Sequence, residues 1–572
     1  MKKLVLFSIM VMLVVMSIVS FGQTYEPSQW GPAILNWGSN VKYGGTVKAE
    51  LGIQAYLPNL NPFITGQLGV EQAIYEPLFY INGYTGQIQD MLGTSYKWED
   101  NNLKLVITTR QGVKWSDGVP FTAADVAFTF NLLKQYPALD GSGIWSNISN
   151  LQSVEASGTN TVIFTFSKPN TPLFYYIAGT MMVPEHIWSK VSDPTKFNNM
   201  DNPVGTGPFL LESVNSNTNT VTLVKNSNYW MTGRPYVDKV VGQGYLSNTT
   251  AMLALLKGDI EWGGIYIPDV NKTWVAKDPS NNEFFWPALS TNNLYLNTQK
   301  YPFDNVTFRK AIDLAINKSA LEQAAYFGIG GVANMASIIP GQISEWFDPT
   351  LTEEASALNA YNPSEAQKLL ASIGFTKNSA GNLVGPNGQP LPTYKILVGA
   401  GWTDFITMAD VLSENLKAVG INTIVDQETW NTYISTIMTG GYDMAICWLT
   451  GTGPTPYYTY YQEFNPTFSA TKLGVSVISD YSRYTNPLIT AALSIYSQTS
   501  DTNLQKQAMY TIERIFIQEL PYIPLNNRTN FAEWSSKNFV GWPSESNPYA
   551  ANGSGVVNQT DGEITLLNIH LK

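Results

Sequence analysis

Between Leu103 and Asn131 the chain reads as strand, tight turn and capped helix. Leu103, Leu105 and Ile107 alternate with Lys104, Val106 and Thr108, the period-2 pattern of a strand with one face buried. Ser116-Asp117-Gly118 is turn chemistry, because Gly accepts positive φ and Asp bonds its own backbone. Thr122 stands three residues before Asp125, the spacing of a capping box, and Val126, Phe130 and Leu133 fall on one face of the helix that follows.

Elsewhere Thr46–Gly52 reads as a first strand and Met444 to Leu449 as an apolar one. Leu253 to Ile260, Ala366 to Phe375 and Leu412 to Ile421 read as helices that end at a glycine. Helical and strand patterns alternate after residue 290, which predicts an α/β fold. At 572 residues the chain is too long for one ordinary domain and long enough for two or three lobes.

The amino terminus changes the picture. Met1-Lys2-Lys3 is a short basic region, Leu4 to Val19 is mostly apolar, and Ser20-Phe21-Gly22 offers small residues at −3 and −1. Residues 1–22 are therefore expected to be a signal peptide cleaved after Gly22. It holds no cysteine for a lipid anchor, so a soluble, exported (periplasmic) mature protein is expected. The formal net charge is −11, and loss of Lys2 and Lys3 makes it more negative. Such a chain, with no basic run, is a poor partner for nucleic acid or an anionic membrane.

Candidate chemistry is mostly excluded. Only His186 and His570 exist, too few for multi-histidine metal sites, and His186 reads as structural. There is no Gly-Lys dipeptide for a P-loop and no Gly-x-Ser-x-Gly elbow. Paired carboxylates of a glycoside hydrolase have no sequence spacing and stay open. Cys447, the one cysteine, lies in an apolar run and reads as a buried, inert thiol. No cofactor and no metal are expected, and no enzyme activity. Charged residues are only 13%, while aromatics also reach 13%, with 16 Trp and 31 Tyr. That is more aromatic area than a core alone requires.

The wording of the chain then resembles a known family. Arg110-Gln111-Gly112-Val113-Lys114-Trp115-Ser116-Asp117-Gly118 with Pro120-Phe121-Thr122-Ala123-Ala124-Asp125-Val126 is similar to a phrase of the extracellular solute-binding proteins of family 5, the peptide/nickel/oligosaccharide-binding proteins of ABC importers. So are Tyr75-Glu76-Pro77-Leu78-Phe79, Gly205-Thr206-Gly207-Pro208-Phe209, Asn226-Ser227-Asn228-Tyr229-Trp230 with Gly233 and Pro235, and Leu294-Tyr295-Leu296-Asn297 with Pro302-Phe303 and Arg309-Lys310-Ala311-Ile312. They occur in the family's order over nearly all the mature chain. The resemblance implies a two-lobed periplasmic binding protein of the large peptide-binder class, type II, with an extra subdomain. It places lobe I at 23–79, 204–285 and 521–572, the subdomain at 80–203 and lobe II at 286–520. The crossings would lie near Trp286 to Ser290 and near Leu520 to Pro524, where the final strand returns to lobe I. A membrane permease is the partner implied; a monomer is expected.

Peptide binders of the family carry an Asp a few residues after a lobe II strand-end Trp, to pair with the peptide amino terminus. Trp448 is followed by no carboxylate before Glu463, and an unpaired buried ammonium is expensive. A neutral oligosaccharide of the β-linked gluco-, manno- or xylo- class fits better. Aromatic rings pack on sugar CH faces, and amides and hydroxyls satisfy the rim. Trp448 and Trp430 fall where the family places aromatics on the cleft wall. Trp402 lies in a glycine-flanked loop, and Trp262 precedes Gly263-Gly264. Asn59 and Asn61 follow the first strand, and Asn292 and Asn293 follow the first crossing. Trp37 and Trp145 complete the candidate ligand-binding residues, with packing as their competing role. The rivals are an oligopeptide-binding importer component and an exported glycoside hydrolase.

Overall fold

The structure is a computed structural model that describes residues 27–39, 41–52, 58–64, 69–146, 148–449, 451–551 and 560–572. The expected leader, 1–22, lies outside the described residues. Three sheets organise the chain. A seven-stranded sheet runs in the order Phe209–Asn215, Thr220–Lys225, Lys239–Gly244, Thr46–Gly52, Trp262–Gly263, Glu533–Ser535, Asn282–Phe284. A four-stranded antiparallel sheet joins Gly93–Glu99, Lys104–Thr109, Thr161–Phe166 and Leu151–Ala156. A five-stranded sheet runs Thr423–Glu428, Tyr394–Gly399, Met444–Trp448, Ala288–Leu296, Ile523–Thr529. Each has its own buried apolar cluster, as expected of two lobes and a subdomain.

Local rules account for the elements. Lys104–Thr109 buries Leu105, Ile107 and Thr109 and exposes more of the residues between them. Asp125 Oδ2 accepts from Thr122 N at 2.9 Å and Thr122 Oγ1 accepts from Ala124 N at 3.2 Å, capping the helix Ala123–Gln135. The helices Asn248–Lys257, Pro363–Ser372 and Thr403–Ala418 are each followed by a glycine of positive φ, Gly258, Gly374 and Gly420.

The phrases that carry the family resemblance touch one another. Glu76 accepts from the Tyr229 hydroxyl at 2.6 Å and the Trp230 indole at 2.9 Å. Asn226 Nδ2 donates to the Gly207 carbonyl at 3.0 Å. A Cβ on Gly205 would sit 1.9 Å from the Ile74 carbonyl oxygen, so only glycine lets these backbones meet. Arg309 donates to the carbonyls of Leu520 at 2.9 Å and Phe303 at 2.8 Å, closing the end of the helix Thr502–Glu519.

One expectation fails. The strand Ile523–Thr529 does not return to the seven-stranded sheet near Leu520–Pro524. It pairs antiparallel with Ala288–Leu296 as an edge of the five-stranded sheet, and the chain leaves that sheet only after Thr529. Its partner strand has a buried surface on both faces to complete, which a strand ending at Pro524 could not do. The two crossings, 285–287 and 530–532, run side by side: Phe285 N donates to Ala532 O at 3.0 Å and Asn530 N to Pro287 O at 2.9 Å. The Trp286 indole donates to Glu533 at 2.6 Å, and its ring centroid lies 4.9 Å from that of Phe531.

Buried carboxyls set a pH dependence. Burial raises Glu76 to about 7, and burial together with the neighbouring Glu76 raises Glu563 well above the usual range. Burial likewise raises Glu513 to about 8. The folded state therefore holds protons that the unfolded chain releases near its ordinary carboxylate range, so stability is full in acid and falls as pH rises through about 7 to 8. The melting temperature should decline between about pH 5 and 8, and Glu563→Gln, whose amide donates to Glu76, should flatten that decline.

Candidate functional site

Three parallel strands of the five-stranded sheet end at one edge. Tyr394–Gly399 runs parallel to both Thr423–Glu428 and Met444–Trp448. Trp448 is cross-strand partner to Asn292, near the start of Ala288–Leu296, which leaves the crossing at 287. The carboxyl ends of the parallel strands therefore point at the other lobe, the place where open α/β sheets bind ligands.

Each of those three ends carries a tryptophan. Trp402 precedes the helix Thr403–Ala418, Trp430 opens the helix Trp430–Thr439, and Trp448 closes its strand. The three rings form a near-equilateral cluster, with Trp402 at centroid distances of 5.7 Å to Trp430 and 5.5 Å to Trp448 and tilted 39° to each. Trp430 and Trp448 are nearly parallel, 4° apart at 6.3 Å. Trp402 and Trp448 are half-buried and Trp430 is 50% exposed. A Cβ on Gly399 would lie 2.5 Å from the Trp402 ring, so the glycine before it lets the indole rest on the strand end. Trp402 and Trp448 rest partly on the lobe II core and Trp430 leaves half its surface to solvent, so three large rings form a platform at a wet edge.

The floor beside the platform is polar. Asn292 Nδ2 donates to the Tyr326 hydroxyl and to Asn526 Oδ1, each at 3.1 Å, and Tyr326 donates to Asp404 Oδ2 at 3.1 Å. Asp404 lies in the first turn of the helix that follows Trp402. Burial raises its carboxyl above the ordinary range, against the pull of the Phe405 N–H, the Tyr326 hydroxyl and the Arg528 charge. The Arg528 guanidinium lies 4.8 Å over the Trp448 ring. Burial, with the Asp404 charge adding to it, raises the hydroxyl of Tyr266 on the other lobe to about 12, and that hydroxyl donates to the Ala325 carbonyl at 3.3 Å. Asp404 thus faces the gap between the lobes. Sequence spacing missed it because it sits 44 positions before Trp448 in the numbering, and the adjacency is made by strand pairing.

The remaining expected residues lie elsewhere. Trp262 is fully buried in the seven-stranded sheet, its ring 5.3 Å from that of Trp542. Trp145 donates to the Phe130 carbonyl under Lys134, and Trp37 donates to the Asn568 carbonyl beside His570. Asn61 is buried and clips the carbonyls of Pro194 and Phe197, while Asn59 Oδ1 accepts from Asn61 N, which is turn chemistry. Asn293 is buried and bonds Thr291; of the amides only Asn292 reaches the platform's floor. His186 bonds Asp117 at 2.7 Å. Cys447 is buried and its thiol is pushed up to about 12 by that burial, the state of an inert thiol.

Sequence reasoning also missed a cavity of about 600 Å³ between the four-stranded subdomain and lobe II, walled by Tyr96, Trp98, Tyr175, Trp346, Tyr458 and Tyr496. With Phe174, its seven rings come from five separate segments, so no local pattern announces it. Hydrogen bonds join its two halves: Thr171 N to Ser497 O at 2.8 Å, Thr171 Oγ1 to Thr499 O at 2.9 Å, Asn102 Nδ2 to Gln498 O at 3.1 Å and the Tyr458 hydroxyl to Pro172 O at 3.0 Å.

Comparison with known proteins bears on this geometry. The family model for bacterial extracellular solute-binding proteins, family 5, matches residues 87–470. The glutathione-binding protein of Salmonella typhi is 27% identical over 317 residues, 54% of this chain and 57% of that protein. The chain thus spans little more than half the length of the curated relatives it matches. A periplasmic oligopeptide-binding protein of an oligopeptide ABC transporter from Thermotoga maritima is 28% identical, with a TM-score of 0.81, over 92% of this chain and 99% of that one. Its mannohexaose-bound structure aligns with a TM-score of 0.73 over 92% and 98%.

Burial separates the tryptophans by role. Trp262→Ala should cost about 3–5 kcal/mol in guanidinium unfolding. Trp430→Ala should stay within about 0.5 kcal/mol of the parent, as a surface change does.

Proposed function

The chain belongs to the bacterial extracellular solute-binding proteins of family 5, a family of binding proteins and not of enzymes, and from that membership we propose that it is the exported substrate-binding component of an ABC importer that captures a neutral oligosaccharide between its lobes. The observation that carries the reading is the platform of Trp402, Trp430 and Trp448 at the strand ends that face the gap. A flat apolar wall beside amides and hydroxyls matches a pyranose, which has CH faces and a hydroxyl rim. The mannohexaose held by the Thermotoga protein of the same fold supports the class of ligand.

Capture follows from the two crossings. The backbone enters lobe II through 285–287 and leaves it through 530–532, so lobe II turns as a body about them. A ligand that touches both lobes favours the closed form by its differential affinity. Micromolar binding corresponds to about −8 kcal/mol. Three stacked rings, each contributing about 1 kcal/mol beyond the area they bury, supply part of it, and apolar burial and hydroxyl hydrogen bonds supply the rest. One copy provides both walls, so a monomer suffices, and the closed form would present itself to a membrane permease.

A second reading has its own observation. Asp404 offers the carboxylate that the segment after Trp448 lacks, lying beside Phe405, whose ring centroid is 6.2 Å from that of Trp448. An oligopeptide amino terminus could pair there, in line with the names of several relatives.

Calorimetry with manno-, cello- and xylo-oligosaccharides against di- to pentapeptides decides between them. The expected outcome is micromolar binding of a glycan, returned intact, and about a tenfold loss in Trp430→Ala. Firm binding of a short peptide with every glycan ignored would replace this reading with the peptide one.

A further inference from the structure

Two charged side chains at the platform are unmatched by each other. Asp404 and Arg528 form no ion pair, and among the described residues the Arg528 guanidinium has no hydrogen-bonded acceptor. Arg528 is nevertheless held in place, over the Trp448 ring. Its strand partner is Ser290, two pairs along from the Asn292–Asn526 pair. Ser290 Oγ and Asn292 Oδ1 are buried and have no hydrogen-bond partner among the described residues. Asp404 accepts from the Tyr326 hydroxyl, and it stands in the first turn of its helix, where the backbone N–H groups favour a carboxylate.

Resting on the oligosaccharide reading, we propose that Asp404 and Arg528 form a polar clamp for a vicinal diol on the terminal pyranose of a ligand that rests on the tryptophan platform. Asp404 only accepts and Arg528 only donates. A hydroxyl does both, so adjacent hydroxyls can donate to the carboxylate and accept from the guanidinium fork. A simple anion would meet Asp404 and a simple cation would meet Arg528. The neighbouring Ser290 and Asn292 oxygens extend the set of groups that a sugar rim can satisfy.

The test is calorimetry of the full-length mature protein with mannohexaose and with trialanine, on the parent, Arg528→Met, Arg528→Lys and Asp404→Asn, each with its melting temperature. Arg528→Met keeps an apolar stem on Trp448 and removes the donors; Arg528→Lys keeps the charge and removes the fork. The clamp predicts that each variant weakens mannohexaose at least about tenfold, that Lys is nearly as poor as Met, and that melting is unchanged. Parent-like glycan affinity in Arg528→Met and Asp404→Asn would overturn the clamp and leave the oligosaccharide reading intact. A parent protein that ignores the glycan, with or without binding trialanine, would overturn both.

Discussion

The molecule depends on two short stretches of chain lying side by side. Phe285 bonds Ala532 and Asn530 bonds Pro287, so the crossings form one narrow ribbon instead of two independent tethers. Each tether alone would twist freely. Paired, and pinned by Trp286 on Glu533 and against Phe531, they restrict lobe II to bending about one line. The carboxyl ends of the lobe II strands lie at this ribbon's end of the sheet, so bending there moves the tryptophan platform toward or away from the other lobe.

That arrangement explains why large rings can be left wet. An exposed indole gains nothing for folding, and Trp430 at 50% exposure is not there for the core. The tryptophans that do hold the fold, Trp262 and Trp534, are fully buried. At the platform, Trp402 and Trp448 back onto the core, and the Gly399 backbone yields space to Trp402. Beneath it, Tyr326, Asn292 and Asn526 tie the helix Lys318–Tyr326, the strand Ala288–Leu296 and the edge strand Ile523–Thr529 into one floor.

Much of the fold was legible in the sequence because its signals are local. Thr122 and Asp125 cap a helix wherever they stand, and a glycine stop at Gly258 or Gly420 needs no distant partner. Trp430 and Trp448 could be named from where the resemblance places cleft-wall aromatics, and Trp402 from its glycine-flanked loop after a strand. Trp262 could not be sorted from them: its neighbours Gly263 and Gly264 look like a loop opening, yet pairing with Glu533 and Trp534 places it inside a sheet. Asp404 and Arg528 were missed for the converse reason. They lie on different elements, and only the pairing of strands across the five-stranded sheet brings them to one edge. The strand Ile523–Thr529 was assigned to the wrong lobe because the resemblance fixes its wording and not its neighbours.

The contacts at Thr171, Asn102 and Tyr458 have a kinetic consequence. They hold the subdomain to lobe II at places remote from the tryptophans, and swinging lobe II outward has to break them. A guest's residence time is then governed partly by bonds that it never touches. Weakening that remote fastening would quicken escape more than it slowed capture, so the protein's hold on its cargo could be tuned without altering a single residue that recognises it.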